Sequence, residues 1–304
     1  MGSIPHIVED FQGVLRVYSD GSTLRSATLP LDIQVHDDGS VIWKDCCFHK
    51  GHNLQLRLYK PAAESNATSK LPILYYLHGA ASASALAPPD YRLAPEHRLP
   101  AAMEDALTSL KWLQAQALSV NCDVWLSDQR VDLSRVFVVG DSSGGNMAHH
   151  LAVELGAGSP GLDPVQVRGY VLMAPFFGGT VRTRSEEGPS EAMLNLELLD
   201  RFWRLSLPVG DTADHPLANP FGPASPLLEP LELDPVLVLV GGSELLKDRA
   251  KDYAKKLKDM GKKIEYVEFE GKEHGFFTND PYSEVGNSVL QVIQGFISQK
   301  SDKL

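Results

Sequence analysis

The chain has 304 residues, 43% of them apolar, with a net charge of -11 and a pI near 5.4. That acidity argues against nucleic acid or an anionic membrane surface as partner, and no apolar run approaches the ~20 residues a membrane span requires. Cys46, Cys47 and Cys122 are the only cysteines, an odd count without metal-ligand spacing, so the expectation is a reducing, cytoplasmic setting with free thiols, no metal and no cofactor.

The N-terminal thirty residues fit no repeating pattern and are expected to form a cap element. Val41 to His49 and Leu54 to Tyr59 read as two strands joined by a turn around Gly51, and in the second Leu54, Leu56 and Leu58 alternate with polar neighbours. Leu71 to Leu77 is a third strand, more continuously apolar. Ala101 to Ala117 carries Leu107, Leu110, Trp112 and Leu113 at near-helical spacing. Val136 to Val139, Val171 to Met173 and Val236 to Val240 are short apolar runs of the kind that fill a parallel sheet buried on both faces. Residues 175–235, punctuated by Pro and Gly, are expected to form a second cap element. Asp248 to Met260 and Ser283 to Ile297 read as amphipathic helices, with a strand at Ile264 to Phe269 between them. Strands alternating with helices predict one α/β domain over residues 1–304, a mostly parallel sheet with helices on both sides and a ligand site at the carboxyl edge of the strands.

The chemistry-bearing signal follows the strand at Val136. Gly140-Asp141-Ser142-Ser143-Gly144 is a G-x-S-x-G string that leads into a helix-compatible stretch, Met147 to Leu155. A serine at a sharp strand-to-helix turn projects its hydroxyl above the sheet, and small neighbours let the chain turn there. A glycine-rich turn that only caps a helix is the competing reading. Serine needs a base oriented by an acid. Of ten histidines, His274 follows the last predicted strand in Lys272-Glu273-His274-Gly275-Phe276, whereas His149 and His150 lie on the helix after the serine. The acid is expected after the strand Val236 to Val240, where Glu244 comes first and Asp248, which could equally serve a helix N-terminus, is the alternative. Backbone donors for an oxyanion are expected from Ser143 and from His78-Gly79-Ala80, that is from the amides of Gly79 and Ala80. Phe176 and Phe276 are candidate substrate-binding aromatics, although aromatic residues at such spacing also serve as core or lid packing.

Four motifs together, Tyr76-Leu77-His78-Gly79, Asp90-Tyr91-Arg92-Leu93-Ala94-Pro95-Glu96-His97, Gly140-Asp141-Ser142-Ser143-Gly144-Gly145-Asn146 and Glu273-His274-Gly275-Phe276, give nearly the whole chain a resemblance to plant carboxylesterases of the α/β-hydrolase fold. That group is related to hormone-sensitive lipase, gibberellin receptors and 2-hydroxyisoflavanone dehydratases. The resemblance implies Ser142 as nucleophile, His274 as base and Glu244 at the position of the usual acid, which is normally Asp. It implies hydrolysis of small-molecule esters. A dehydratase or cyclase, a hormone-binding receptor and an inactive isoform are the alternatives.

One departure from the family pattern stands out. Between His78 and Asp90 the family places an oxyanion loop, a helix and a further strand, but this chain has only residues 79–89. A parallel crossover alone needs a dozen or more residues. One βα unit is therefore expected to be missing, leaving a gap in the sheet or forcing its neighbours to re-pair, with activity reduced.

Overall fold

The computed structural model describes residues 4–11, 13–26, 37–62, 70–79, 90–158, 161–191 and 194–301. Strands β1 (Ile7–Phe11), β2 (Leu15–Tyr18) and β3 (Thr23–Arg25) form an antiparallel sheet. Next come a hairpin of β4 (Val41–His49) and β5 (Leu54–Pro61), and then β6 (Leu71–Leu77). The alternating part consists of α1 (Ala101–Leu118), β7 (Val131–Asp141), α2 (Ser143–Gly156), β8 (Val167–Met173), α3 (Leu196–Ser206), β9 (Val236–Gly241), α4 (Lys247–Asp259) and β10 (Ile264–Phe269). A single turn, α5 (Phe276–Asn279), and α6 (Glu284–Ser301) complete it.

Strands β6 to β10 build one five-stranded parallel sheet in the order β10-β9-β8-β7-β6. Side chains alternate between the two faces of a strand, so neighbouring residues feed different cores. Val136 and Val138 of β7 join Leu110, Met147, Leu151 and Tyr253 beneath α1, α2 and α4, while Phe137 and Val139 join Val289, Ile293 and Phe296 beneath α6. Every residue of β9 is buried, which is why its sequence is an unbroken apolar run.

Among the described residues the sheet ends at β6, which pairs only with β7, and the β4–β5 hairpin forms a separate two-stranded sheet. The short segment on which a gap or re-pairing was expected lies, at residues 80–89, outside the described residues. Leu71 and Leu74 of β6 are 44% and 54% exposed. Asp90 bonds β5 twice: its N–H donates to Gln55 O at 2.7 Å and its carboxylate accepts from Gln55 N at 3.3 Å. Tyr91 then donates to His78 O at 2.9 Å, and Arg92 donates from Nε and Nη2 to the buried Asp105 of α1.

The two segments expected as cap elements meet each other. Asn195 caps α3 by accepting from Leu198 N at 2.8 Å. One face of this helix buries Leu199 and Trp203, and another presents Arg201 and Arg204 to Glu9 of β1 at 3.0 and 2.6 Å. Phe11 stacks on Phe202 with centroids 5.6 Å apart. Among the described residues no helix is long and apolar enough to cross a membrane, and no group of three His, Cys, Asp or Glu side chains gathers as a metal site.

Candidate active site

Ser142 sits between β7 and α2 with φ 52° and ψ -116°, a conformation that costs a non-glycine residue on the order of 1–3 kcal/mol and persists only where the surroundings enforce it. They do. Ser142 N donates to Met173 O and Ser142 O accepts from Phe176 N, each at 2.9 Å, so the turn is bonded to the chain leaving β8. The glycines are required by close approach: a Cβ on Gly140 would lie 2.1 Å from Gly144 O, and one on Gly144 would lie 2.0 Å from Leu77 O. The result is a half-buried hydroxyl raised at the carboxyl edge of the sheet.

His274, on the loop between β10 and α5, brings its Nε2 to 3.1 Å from Ser142 Oγ. On the other side of the ring, Nδ1 lies 3.6 Å from Glu244 Oε2. That is ion-pair distance and longer than a hydrogen bond; among the described residues neither carboxylate oxygen has a hydrogen-bond partner, and the side chain is fully buried. A buried carboxylate is costly without a cationic partner, and the imidazole is the group that can supply the charge. Burial pushes the His274 pKa down, but the carboxylates of Glu244, Glu191 and Asp141 outweigh it and leave the pKa above the ordinary value. Ser142, Glu244 and His274 are thus brought together from three separate strand ends. Asp248 is not with them: it lies in the first turn of α4 and accepts from Ser185 N at 2.8 Å.

The expected oxyanion donors fare differently. Gly79 N–H donates to Asp141 Oδ1 at 2.8 Å, inside the turn. Asp141 also accepts from Tyr76 OH at 2.5 Å. This carboxylate thereby ties β6, the His-Gly turn and the serine turn into one unit, a role its place beside Ser142 did not reveal. Ala80 lies outside the described residues. Ser143 begins α2, where the first amides have no partner within the helix.

Phe176 is buried and stacks on Trp203 with centroids 4.4 Å apart, part of the cluster with Leu199, Leu207, Leu245 and Leu246. Its position is accounted for by packing under α3. Phe276 borders a cavity of about 340 Å³ that also takes in His274, Asn279 and Ser283. A second cavity of about 370 Å³ lies beside α1 and α2, against His149 and His150 and away from Ser142. Burial holds both of those imidazoles below the ordinary histidine pKa.

One further residue enters the site without any motif to mark it. Glu191, from the segment between β8 and α3, accepts from Leu245 N and from His274 N, each at 2.6 Å. The signal for it was only a carboxylate in a long connection.

Comparison with known proteins agrees with this architecture. Residues 74–278 match a family described as alpha/beta hydrolase fold. The chain is 32% identical to a 2-hydroxyisoflavanone dehydratase of Glycyrrhiza echinata over 93% of this chain and 94% of that protein. It is 31% identical to "Probable carboxylesterase 6" of Arabidopsis thaliana, covering 85% and 82% respectively, and 33% identical to a gibberellin receptor of the same plant, covering 93% and 76%. Among solved structures, an esterase of Pyrobaculum calidifontis superposes with a TM-score of 0.68 at 26% identity over 90% of this chain and 88% of that one. The chain therefore belongs to the alpha/beta hydrolase fold family, within the carboxylesterase-like group that also holds plant gibberellin receptors and 2-hydroxyisoflavanone dehydratases.

Proposed function

We propose that the protein is a serine carboxylesterase acting on small-molecule esters in the cytoplasm. Ser142 attacks the ester carbonyl while His274 Nε2 takes its proton, and the alcohol leaves with that proton as an acyl-enzyme forms. Water, activated by the same imidazole, then attacks the acyl carbon, releases the acid and returns the proton to Ser142. Glu244 holds the ring and balances the charge that develops on it. The observation that carries this reading is the 3.1 Å contact between Ser142 Oγ and His274 Nε2 at a strained, solvent-reachable turn. Retention of an imidazole there weighs against a receptor role. For the oxyanion, Ser143 N–H is the donor proposed among the described residues, with Ala80 the other.

Loss of one such donor costs about 10²–10³ in kcat, so turnover is expected to be low and to rise when the missing crossover is restored. The test is capture by a fluorophosphonate and hydrolysis of a short-chain p-nitrophenyl ester. Wild type should be labelled at Ser142 and Ser142→Ala should not. Absence of labelling in folded wild-type protein would overturn the proposal, and labelling without ester turnover would favour the dehydratase-like alternative.

A further inference from the structure

Glu191 lies outside the Ser-His-Glu set yet touches both of its loops. The side chain is buried, at 9% exposure. Oε1 accepts from the amide of Leu245, the residue after Glu244, and Oε2 accepts from the amide of His274 itself, both at 2.6 Å. Charge-assisted hydrogen bonds of this length are the strong kind. A single carboxylate therefore spans the loop after β9 and the loop after β10. The segment that carries it is fastened nearby: Ser185 Oγ donates to Leu245 O at 2.7 Å, and Glu186 pairs with Arg249 of α4. Glu191 N–H donates to Leu194 O at 2.9 Å and holds its own turn.

A third buried carboxylate beside Glu244 is an expensive feature for a purely structural purpose, since burial and the Glu244 charge both disfavour its ionised form. A neutral side chain could fill the space. What an ionised carboxylate adds is two strong acceptors at fixed separation and a negative charge near the imidazole.

We propose that Glu191 is a positioning residue that sets the placement of Glu244 against His274, so that the cap segment holds the acid and base loops in register. The proposal rests on the serine-esterase reading for its kinetic consequence. The acidic groups acting on the His274 ring are Glu244 from the loop after β9, Glu191 from the cap segment and Asp141 from β7, with Ser142 the neutral neighbour.

Two substitutions separate tether from charge. Glu191→Gln keeps the length but offers one acceptor oxygen to two donors and removes the charge. Glu191→Asp keeps the charge but is too short to span both amides. Misplacing a catalytic group by about 1 Å costs up to about 100-fold. Both variants should therefore phosphonylate about 10- to 100-fold more slowly, with kcat reduced and KM unchanged. The acid limb of the pH profile should move to lower pH in Glu191→Gln and stay in Glu191→Asp. NMR titration of the His274 ring reads the same shift without turnover. If wild type does not label, the esterase reading fails, and the NMR titration alone then decides on Glu191. An unchanged rate and limb in folded Glu191→Gln, an unmoved imidazole titration, or a failure of both variants to fold would each overturn the positioning role.

Discussion

The clamp that joins the segment between β8 and α3 to α4 allows a quantitative stability experiment. Arg249 is 11% exposed and its partner Glu186 4%. The guanidinium donates to Glu186 at 2.5 and 2.8 Å and to the carbonyls of Gly178, Gly179 and Val181, each at 3.0 Å. Arg249→Met leaves a buried carboxylate without its cation and three carbonyls without their donor. Removing one partner of a buried pair costs about 3–5 kcal/mol, most of it from the stranded charge. The double variant Glu186→Gln/Arg249→Met strands no charge, so it should be less destabilised than Arg249→Met alone, with a coupling of about 1–3 kcal/mol. Gly179→Ala supplies an independent perturbation, because its Cβ would fall 2.2 Å from Arg249 Nη1 and displace the same guanidinium. The assay is urea unfolding followed by far-UV circular dichroism, comparing midpoints at constant slope. Arg249→Met within about 1 kcal/mol of wild type, or a double variant that costs the sum of the two singles, would refute the reasoning.

Two other outcomes are expected. Because the carboxylates around His274 raise its pKa, and because a general base must be neutral, kcat/KM for an ester should rise with pH through a midpoint above 6.5. Glu244→Gln should lower both kcat and that midpoint, and a wild-type limb centred below 6.5 contradicts the electrostatic account. At the sheet edge, β6 carries the uncharged run Leu71-Pro72-Ile73-Leu74-Tyr75-Tyr76-Leu77, a template for pairing with another chain. Leu74→Lys on its exposed side should reduce self-association in light scattering without changing the unfolding midpoint, and scattering equal to that of wild type would remove β6 from consideration.

The elements with a strong repeating pattern were legible in the sequence because their burial is set locally. The apolar run of β9, the alternation in β5 and the spacing in α1 each state which faces are covered, and each element lies where its pattern predicts. The turn at Ser142 was legible for a different reason: only glycine fits at 140 and 144, so the backbone's close approach is recorded in the composition. The antiparallel sheet β1–β3 and the helix α3 were not legible as elements. Their contacts are Glu9 with Arg201 and Arg204, and Phe11 with Phe202, pairs about 190 residues apart that mean nothing until the chain folds. Local composition likewise could not decide how an amide would be used. Gly79 stands in the expected motif, where its N–H donates to Asp141, and Glu191 has no motif, yet it reaches two loops at once. Sequence alone determined which residues could do chemistry and on which strand ends they lie. Tertiary structure decided which of them meet, because hydrogen-bond partners are chosen by distances of a few ångströms between segments that the chain order keeps far apart.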